Sequence, residues 1–327
     1  MTYINAISSI SFQDFLDFTK GIKHLEKINE ASELIQPNYK QWIKPMQLRR
    51  MSKIVRMGLG CTKSIVDQIG TENFDSIIVG TGLGCIKDTV KFIDTINAVS
   101  TSSIPPTAFI QSTHNTIAGQ IALLLGNNNY NMTYVQNGVS FEHALIDAHI
   151  KILEGQNNVL VGALDEMTDY LQNLAQLVKI DNTKSYTEGS TFFNLSNNKT
   201  KNNYASIIKS MTYTIYQDFD LTEKLSKFLA SEEISINEID IVLEASPKFS
   251  KSLKHSFNDS DKTIFFEEYC GKYFTSSAFA MYMACLIFKE NTNTINQTFK
   301  LKIKNLNYIL ILNNYMDKVV GLTLLKK

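Results

Sequence analysis

The stretch PTAFIQSTHNTIAGQIALLLGNNNYNMTYVQNGVSFEHALIDAHIKILEGQNNVLVGALDEMTD, residues 106–169, decides the fold. Within it, STHNTIAGQIALLLG (112–126) opens on a capping serine or threonine and stops at Gly126, which predicts a buried helix. After the turn NNNYN, MTYVQ (132–136) reads as a short strand. SFEHALIDAHIKILEG (140–155) then reads as an amphipathic helix opened by Ser140, and NNVLVGALDE (157–166) as a central strand. Alternation of this kind marks a layered α/β fold.

The same rhythm continues outward. LRRMSKIVRMGLGCTKSIVDQIG (48–70) has apolar residues at helical spacing, and SIIVGTGLG (76–84) reads as a buried strand running into a glycine turn. A helix is expected near 87–97, before the break at Pro105-Pro106. The first 45 residues are mixed and polar, and residues 181–204, rich in Asn, Thr, Ser and Lys, read as a polar loop between two halves, 1–180 and 205–327. In the second half, strands are expected at 204–216, 239–246 and 262–268, and helices near 221–230, 247–256 and 275–290. Three β segments, FKLKIKNL, NYILILNN and KVVGLTLLKK, close the chain.

Composition removes several classes of function. Lys+Arg and Asp+Glu both number 32 in 327 residues, so the net charge of zero argues against a nucleic-acid binder. No stretch reaches the ~20 apolar residues of a membrane helix, and the start MTYINAISSISFQDF lacks the basic and apolar regions of a signal peptide. A cytoplasmic location is therefore expected, with Cys61, Cys85, Cys270 and Cys285 as free thiols. TGLGC (81–85) contains G-x-G but no third glycine and no acidic residue at the spacing of a dinucleotide site. His143 and His149 are six residues apart and face different ways on a helix, so neither a metal nor a cofactor is expected. Asp165-Glu166 could serve acid–base chemistry, but adjacent carboxylates before a helix are ordinarily caps. Arg49, Lys53 and Arg56 share a helix face by spacing: a solvated face, or a docking patch for an acidic carrier protein.

Residues 106–169 resemble the N-terminal half of β-ketoacyl synthases. The buried helix carries the N-x-x-A-G-x-x-A core as Asn115, Ala118, Gly119 and Ala122, then come strand 132–136, Ser140 and Ala144 at the nucleophile elbow, and Val161-Gly162 in the next strand. The leader, INAISSIS…IQPNYKQWIKPMQLRRMSKIVRMG, is similar to ketosynthase-like proteins of aryl polyene and flexirubin pigment clusters. The resemblance implies a thiolase-like αβαβα fold, two pseudo-repeated halves fused in one unit, with the second half shortened.

The catalytic positions do not follow the family. In A-C-x-S-x-x-x-A the register places Gly138 where the cysteine belongs, between Asn137 and Val139. The E-A-H-G-T histidine becomes Ser246, in Glu244-Ala245-Ser246-Pro247. The second histidine becomes Lys272, after Gly271, and the gating loop reads Asn313-Asn314-Tyr315-Met316-Asp317. A glycine cannot form an acyl-enzyme.

The resemblance therefore implies a non-catalytic chain-length factor that pairs with an active ketosynthase and shapes its acyl tunnel in type II polyketide, aryl polyene or fatty-acid-like synthesis. Asn137, Gly138, Val139 and Asn313 would line the residual pocket. Thr113, Asn115, Met132, Thr133, Tyr134, Val135, Gln136 and Phe141 would face the partner, and Arg49, Lys53 and Arg56 an acyl carrier protein. Two alternatives stand beside it: an acyl-transfer enzyme using Cys61 or Cys85, and a homodimeric acyl-binding protein.

Overall fold

A computed structural model describes residues 1–13, 18–29, 32–98, 106–177, 186–245 and 262–327. In chain order the elements are β1 (Thr2–Ile10), α1 (Lys53–Ile69), β2 (Ser76–Gly80), α2 (Ile86–Ala98), α3 (Pro106–Ser112), α4 (Thr116–Leu125), β3 (Tyr130–Tyr134), α5 (Ser140–Leu153), β4 (Val159–Asp165), α6 (Asp169–Leu177) and β5 (Gly189–Ser196). The second half follows with β6 (Ala205–Thr214), α7 (Leu221–Ala230), β7 (Ile241–Glu244), β8 (Thr263–Phe265), α8 (Ser276–Lys289), α9 (Thr292–Phe299), β9 (Tyr308–Tyr315) and β10 (Val319–Lys326).

The ten strands among the described residues form one sheet in the order β3-β2-β4-β5-β1-β6-β10-β9-β7-β8. Read from either edge to the middle, the two halves have the same topology. β2 pairs in parallel with β3 and β4, and β7 with β8 and β9. Each half then turns antiparallel, through β4–β5–β1 and β9–β10–β6, and the antiparallel β1–β6 pair joins them. β7 and β8 have four and three residues against five each in β2 and β3, so the second half is the shorter copy.

Three buried clusters fill the space between layers. The central one holds Phe141, Leu145 and Ile152 of α5 and Phe279, Met283 and Ile287 of α8. α8 is apolar all round (SSAFAMYMACLIFK) and buried from Ser276 to Phe288, as a helix with protein on every side must be. α1 and α4 cover the outer face of the first half with Leu59, Ile65 and Ile121. α7 covers the second with Leu225 and Phe228. α5 and α8 thus lie between the two halves of the sheet, with α1 and α4 outside one half and α7 outside the other, the expected αβαβα stack.

Two central strands are absent from the sequence reading. β1 lies in the segment read as mixed and polar, and β5 lies inside 181–204, read as a loop. They pair with each other along most of their lengths. Both are buried on both faces, so neither alternates, and both carry buried polar residues. Ser9 bonds Thr191 at 3.0 Å, and Asn5 receives hydrogen bonds from Thr200. FKLKIKNL is the opposite error. Leu301, Ile303 and Leu306 point inward like strand residues, but Ile303 exchanges its backbone hydrogen bonds with the side chain of Asn296 instead of a neighbouring strand. The helix read at 247–256 lies outside the described residues.

Candidate functional site

The site forms where the N-termini of the two central helices, α5 and α8, approach each other. Before α5 the chain makes a tight turn, Asn137–Val139, with Asn137 in the left-handed region at φ 50°. Asparagine tolerates that region better than most residues. Ser140 does not cap the helix. Its Oγ donates to Asn137 O at 2.7 Å and accepts from Gln136 N–H at 2.8 Å, stapling the turn. Gly138 is buried, Val139 is buried, and Asn137 faces solvent.

Asn313, at the end of β9, reaches this turn from the other half. Its Nδ2 donates to Gly138 O at 2.7 Å and to Glu142 Oε1 at 2.9 Å. Burial pushes the Glu142 carboxyl up to about 7, against the hydrogen bond from Asn313 that lowers it. Beyond Asn313 the gating-loop positions form a tight hairpin. Lys318 N–H closes back on Tyr315 O at 2.9 Å around Met316 and Asp317, at φ 51° and 54°. Two successive left-handed residues are the signature of a type I′ turn. Asn314 steadies it, exchanging hydrogen bonds with Asp317.

The hairpin lays the Tyr315 ring on Gly138. A Cβ built on Gly138 would stand 2.2 Å from Tyr315 Cδ2 and 2.4 Å from Cγ, so the space for a side chain at this position is already filled. Phe274 does the same at Gly82, whose Cβ would stand 2.3 Å from the Phe274 Cβ. The Phe274 and Tyr315 ring centres are 5.8 Å apart. The G-x-G of residues 82–84 is thus a packing feature: Gly82 admits a ring, and Gly84, at φ 64°, supplies a left-handed turn.

Asp165 ties the halves together beside this plug. One oxygen accepts from Gly82 N–H (2.8 Å) and the Thr81 hydroxyl (3.2 Å), the other from Thr275 N–H (3.0 Å) and the Thr275 hydroxyl (2.8 Å). Burial still lifts its carboxyl to about 6. Glu166, lifted by burial to about 7, accepts from Lys87 N–H at the start of α2. These carboxylates serve the first turns of helices other than the one that follows them in sequence. Lys272 sits across a cavity of about 50 Å³ that Asp165, Glu166, Tyr186, Phe274, Asn313 and Tyr315 also line. Its Nζ lies 5.6 Å from the centre of the Tyr186 ring. Gly138 and Asn313 are therefore joined directly, with Lys272 on the far wall; Ser246 lies outside the described residues.

β3 is one edge of the sheet. Met132 and Val135 are each 38% exposed, Gln136 and Asn115 are exposed, and Thr113, Thr133 and Tyr134 are half-buried. Exposed apolar residues not singled out from sequence are Phe109 (59% exposed) and Ile110 of α3 and Leu123 of α4. Phe141 is a correction. It is 1% exposed and packs on Phe193 in the central core, because the first turn of α5 points it inward, away from the edge.

The basic trio is also corrected. Arg49 lies outside α1, since the chain bends at Arg50–Ser52, and Lys53 is paired with Glu188 at 2.5 Å and bonds Met167 O. Arg49 and Arg50 are exposed, as is Lys44, and Arg56 is half-buried. Both alternative nucleophiles are fully buried. Cys61 donates to Ser190 O and its thiol is pushed up to about 12 by burial; that of Cys85 is also raised. A reactive cysteine needs the reverse, an accessible thiolate.

Residues 25–178 match the family model for the beta-ketoacyl synthase N-terminal domain. No curated protein sequence matches the chain. Among solved structures, the chain resembles the ishigamide ketosynthase/chain length factor (TM-score 0.79, 14% identity, 99% of each chain covered). It also resembles a type II polyketide carrier protein in complex with its ketosynthase bound to the hexaketide (0.75, 15%, 99% of each chain). A third likeness is to a ketosynthase in complex with its chain length factor from Xenorhabdus doucetiae (0.51, 17%, 66% of this chain and 84% of that one). The fold is thiolase-like, and residues 25–178 are similar to the N-terminal domain of β-ketoacyl synthases.

Proposed function

We propose that this ketosynthase-like chain is a non-catalytic partner subunit of the chain-length-factor type, working with an active ketosynthase on carrier-bound acyl thioesters. The observation that carries the reading is the elbow. Gly138 has no side chain to acylate, and the Tyr315 ring occupies the place one would take. Lys272 holds the second histidine position, and both remaining cysteines of the first half are sealed in the core.

Pairing is supported by the sheet edge. β3 presents unpaired backbone groups along one side, with Met132 and Val135 exposed there, and Phe109, Ile110 and Leu123 are exposed on α3 and α4. An exposed apolar edge of this kind calls for a partner, and a second strand laid on it would continue the sheet. In this reading Asn115, Thr113, Thr133, Tyr134 and Gln136 would face the partner, and Asn137, Gly138, Val139 and Asn313 would line the residual pocket. Arg49 and Arg50, in a run from 34 to 66 without a single Asp or Glu, form the surface for an acidic carrier protein. The pathway class is type II polyketide, aryl polyene or flexirubin pigment, or fatty-acid-like synthesis in the cytoplasm.

The test is reconstitution with the ketosynthase encoded beside it and malonyl-carrier protein. Condensation by the pair and by neither subunit alone supports the reading. Condensation by this chain alone would refute it.

A further inference from the structure

The Tyr315 ring at Gly138 is more than lost chemistry. Two glycines of the first half, Gly82 and Gly138, each receive an aromatic ring from the second, and the two rings touch. Tyr315 cannot simply swing aside. The I′ turn fixes the backbone just beyond it, and Asn313, two residues before it, is bonded to the Gly138 carbonyl. Beside the ring lies the cavity of about 50 Å³, whose apolar wall includes Met167, Leu171, Tyr186, Phe274 and Met316. That volume is room for a few water molecules and not for a hydrocarbon chain.

We propose that Tyr315 is a resident plug. It takes the place of an acyl chain at this subunit's own elbow, and its removal uncovers a binding site for a straight apolar acyl thioester. Vacating the phenol ring would join its space to the existing cavity, whose wall also carries Asp165, Glu166, Lys272 and Asn313. The site deepens the partner-subunit reading: the subunit is closed by its own side chain, which leaves the growing chain to the catalytic partner. Specificity in the pair then depends on which ring stands at 315, since a smaller residue would admit a chain on both sides of the interface.

The experiment uses the full-length chain, the variants Tyr315→Ala and Tyr315→Leu, and S-hexanoyl-N-acetylcysteamine as the probe, with calorimetric titration and melting curves. Tyr315→Ala is expected to bind the probe at least about tenfold more tightly than the parent chain, and its melting temperature should rise with probe concentration. Tyr315→Leu keeps part of the volume and should give an intermediate gain, which also serves if the alanine variant does not fold. A folded variant that binds no better than the parent overturns the plug. The binding arm needs no partner, so its result is independent of whether the chain pairs with a ketosynthase. If the partner reading holds, the Tyr315→Ala complex should also change its product lengths; a variant that binds the probe in a chain that never pairs would leave the plug standing and remove the partner role.

Discussion

Substituting Gly138→Ala probes the elbow with one methyl group. The new Cβ would stand 2.2, 2.4 and 2.7 Å from Cδ2, Cγ and Cβ of Tyr315. Carbon atoms settle near 3.5–4.0 Å, so the ring must retreat by more than about 1 Å. The close atoms include the root of the side chain, so a rotamer change alone cannot relieve the contact and the β9–β10 hairpin must shift. Overpacking of this kind costs about 1–3 kcal/mol. Gly138 is not at positive φ, so alanine also gains about 0.4–1 kcal/mol by narrowing the unfolded ensemble. The net expectation is a loss of about 1–2 kcal/mol. Tyr315→Ala alone should lose about 2–3 kcal/mol, less than a fully buried aromatic, because the ring is only half-buried. The double variant should be no less stable than Tyr315→Ala, a coupling of about 1–3 kcal/mol in the relieving direction. Urea unfolding of the four proteins measures it. Losses that simply add would refute the claim that the ring fills the elbow.

Three further outcomes are expected. Asp165→Asn replaces an acceptor of four hydrogen bonds by a group that turns donors toward donors, and should lower stability by about 2–4 kcal/mol, read by denaturation. Glu142 titrates near 7 when folded and near 4.5 when unfolded, so the protonated form is favoured by the fold. Its contribution is full below about 4.5 and is lost as pH rises through 7; parent and Glu142→Gln chains should therefore differ in the pH slope of their unfolding midpoints between pH 5 and 8, and identical slopes would remove Glu142 from the account. Phe141→Ala should cost about 3–5 kcal/mol as a core truncation, whereas Met132→Asp should leave the isolated chain's melting almost unchanged and abolish pairing, read by melting curves and co-purification.

Helices α1, α5 and α8 and strands β2, β4, β6, β7, β9 and β10 were legible because their apolar spacing or unbroken apolar runs match the local period. β1 and β5 were not, since a strand buried on both faces in mid-sheet can carry Ser, Asn and Thr, which in sequence looks like loop composition. At the site, the missing side chain at Gly138 could be read from the sequence alone. What fills it could not, because Tyr315 is 177 positions away in sequence and only the β9–β10 hairpin brings it back. Gly82 was a visible signal of close approach, masked by its likeness to a nucleotide-binding glycine. Phe141 misled for a related reason: it neighbours the elbow in sequence, but helical geometry turns it into the core.

The most direct measurement is the native mass of this chain co-expressed with its neighbouring ketosynthase and purified through a tag on one subunit. A one-to-one complex, broken by Met132→Asp, is the predicted result. A stable pair of two copies of this chain, indifferent to the ketosynthase, would contradict the partner-subunit account.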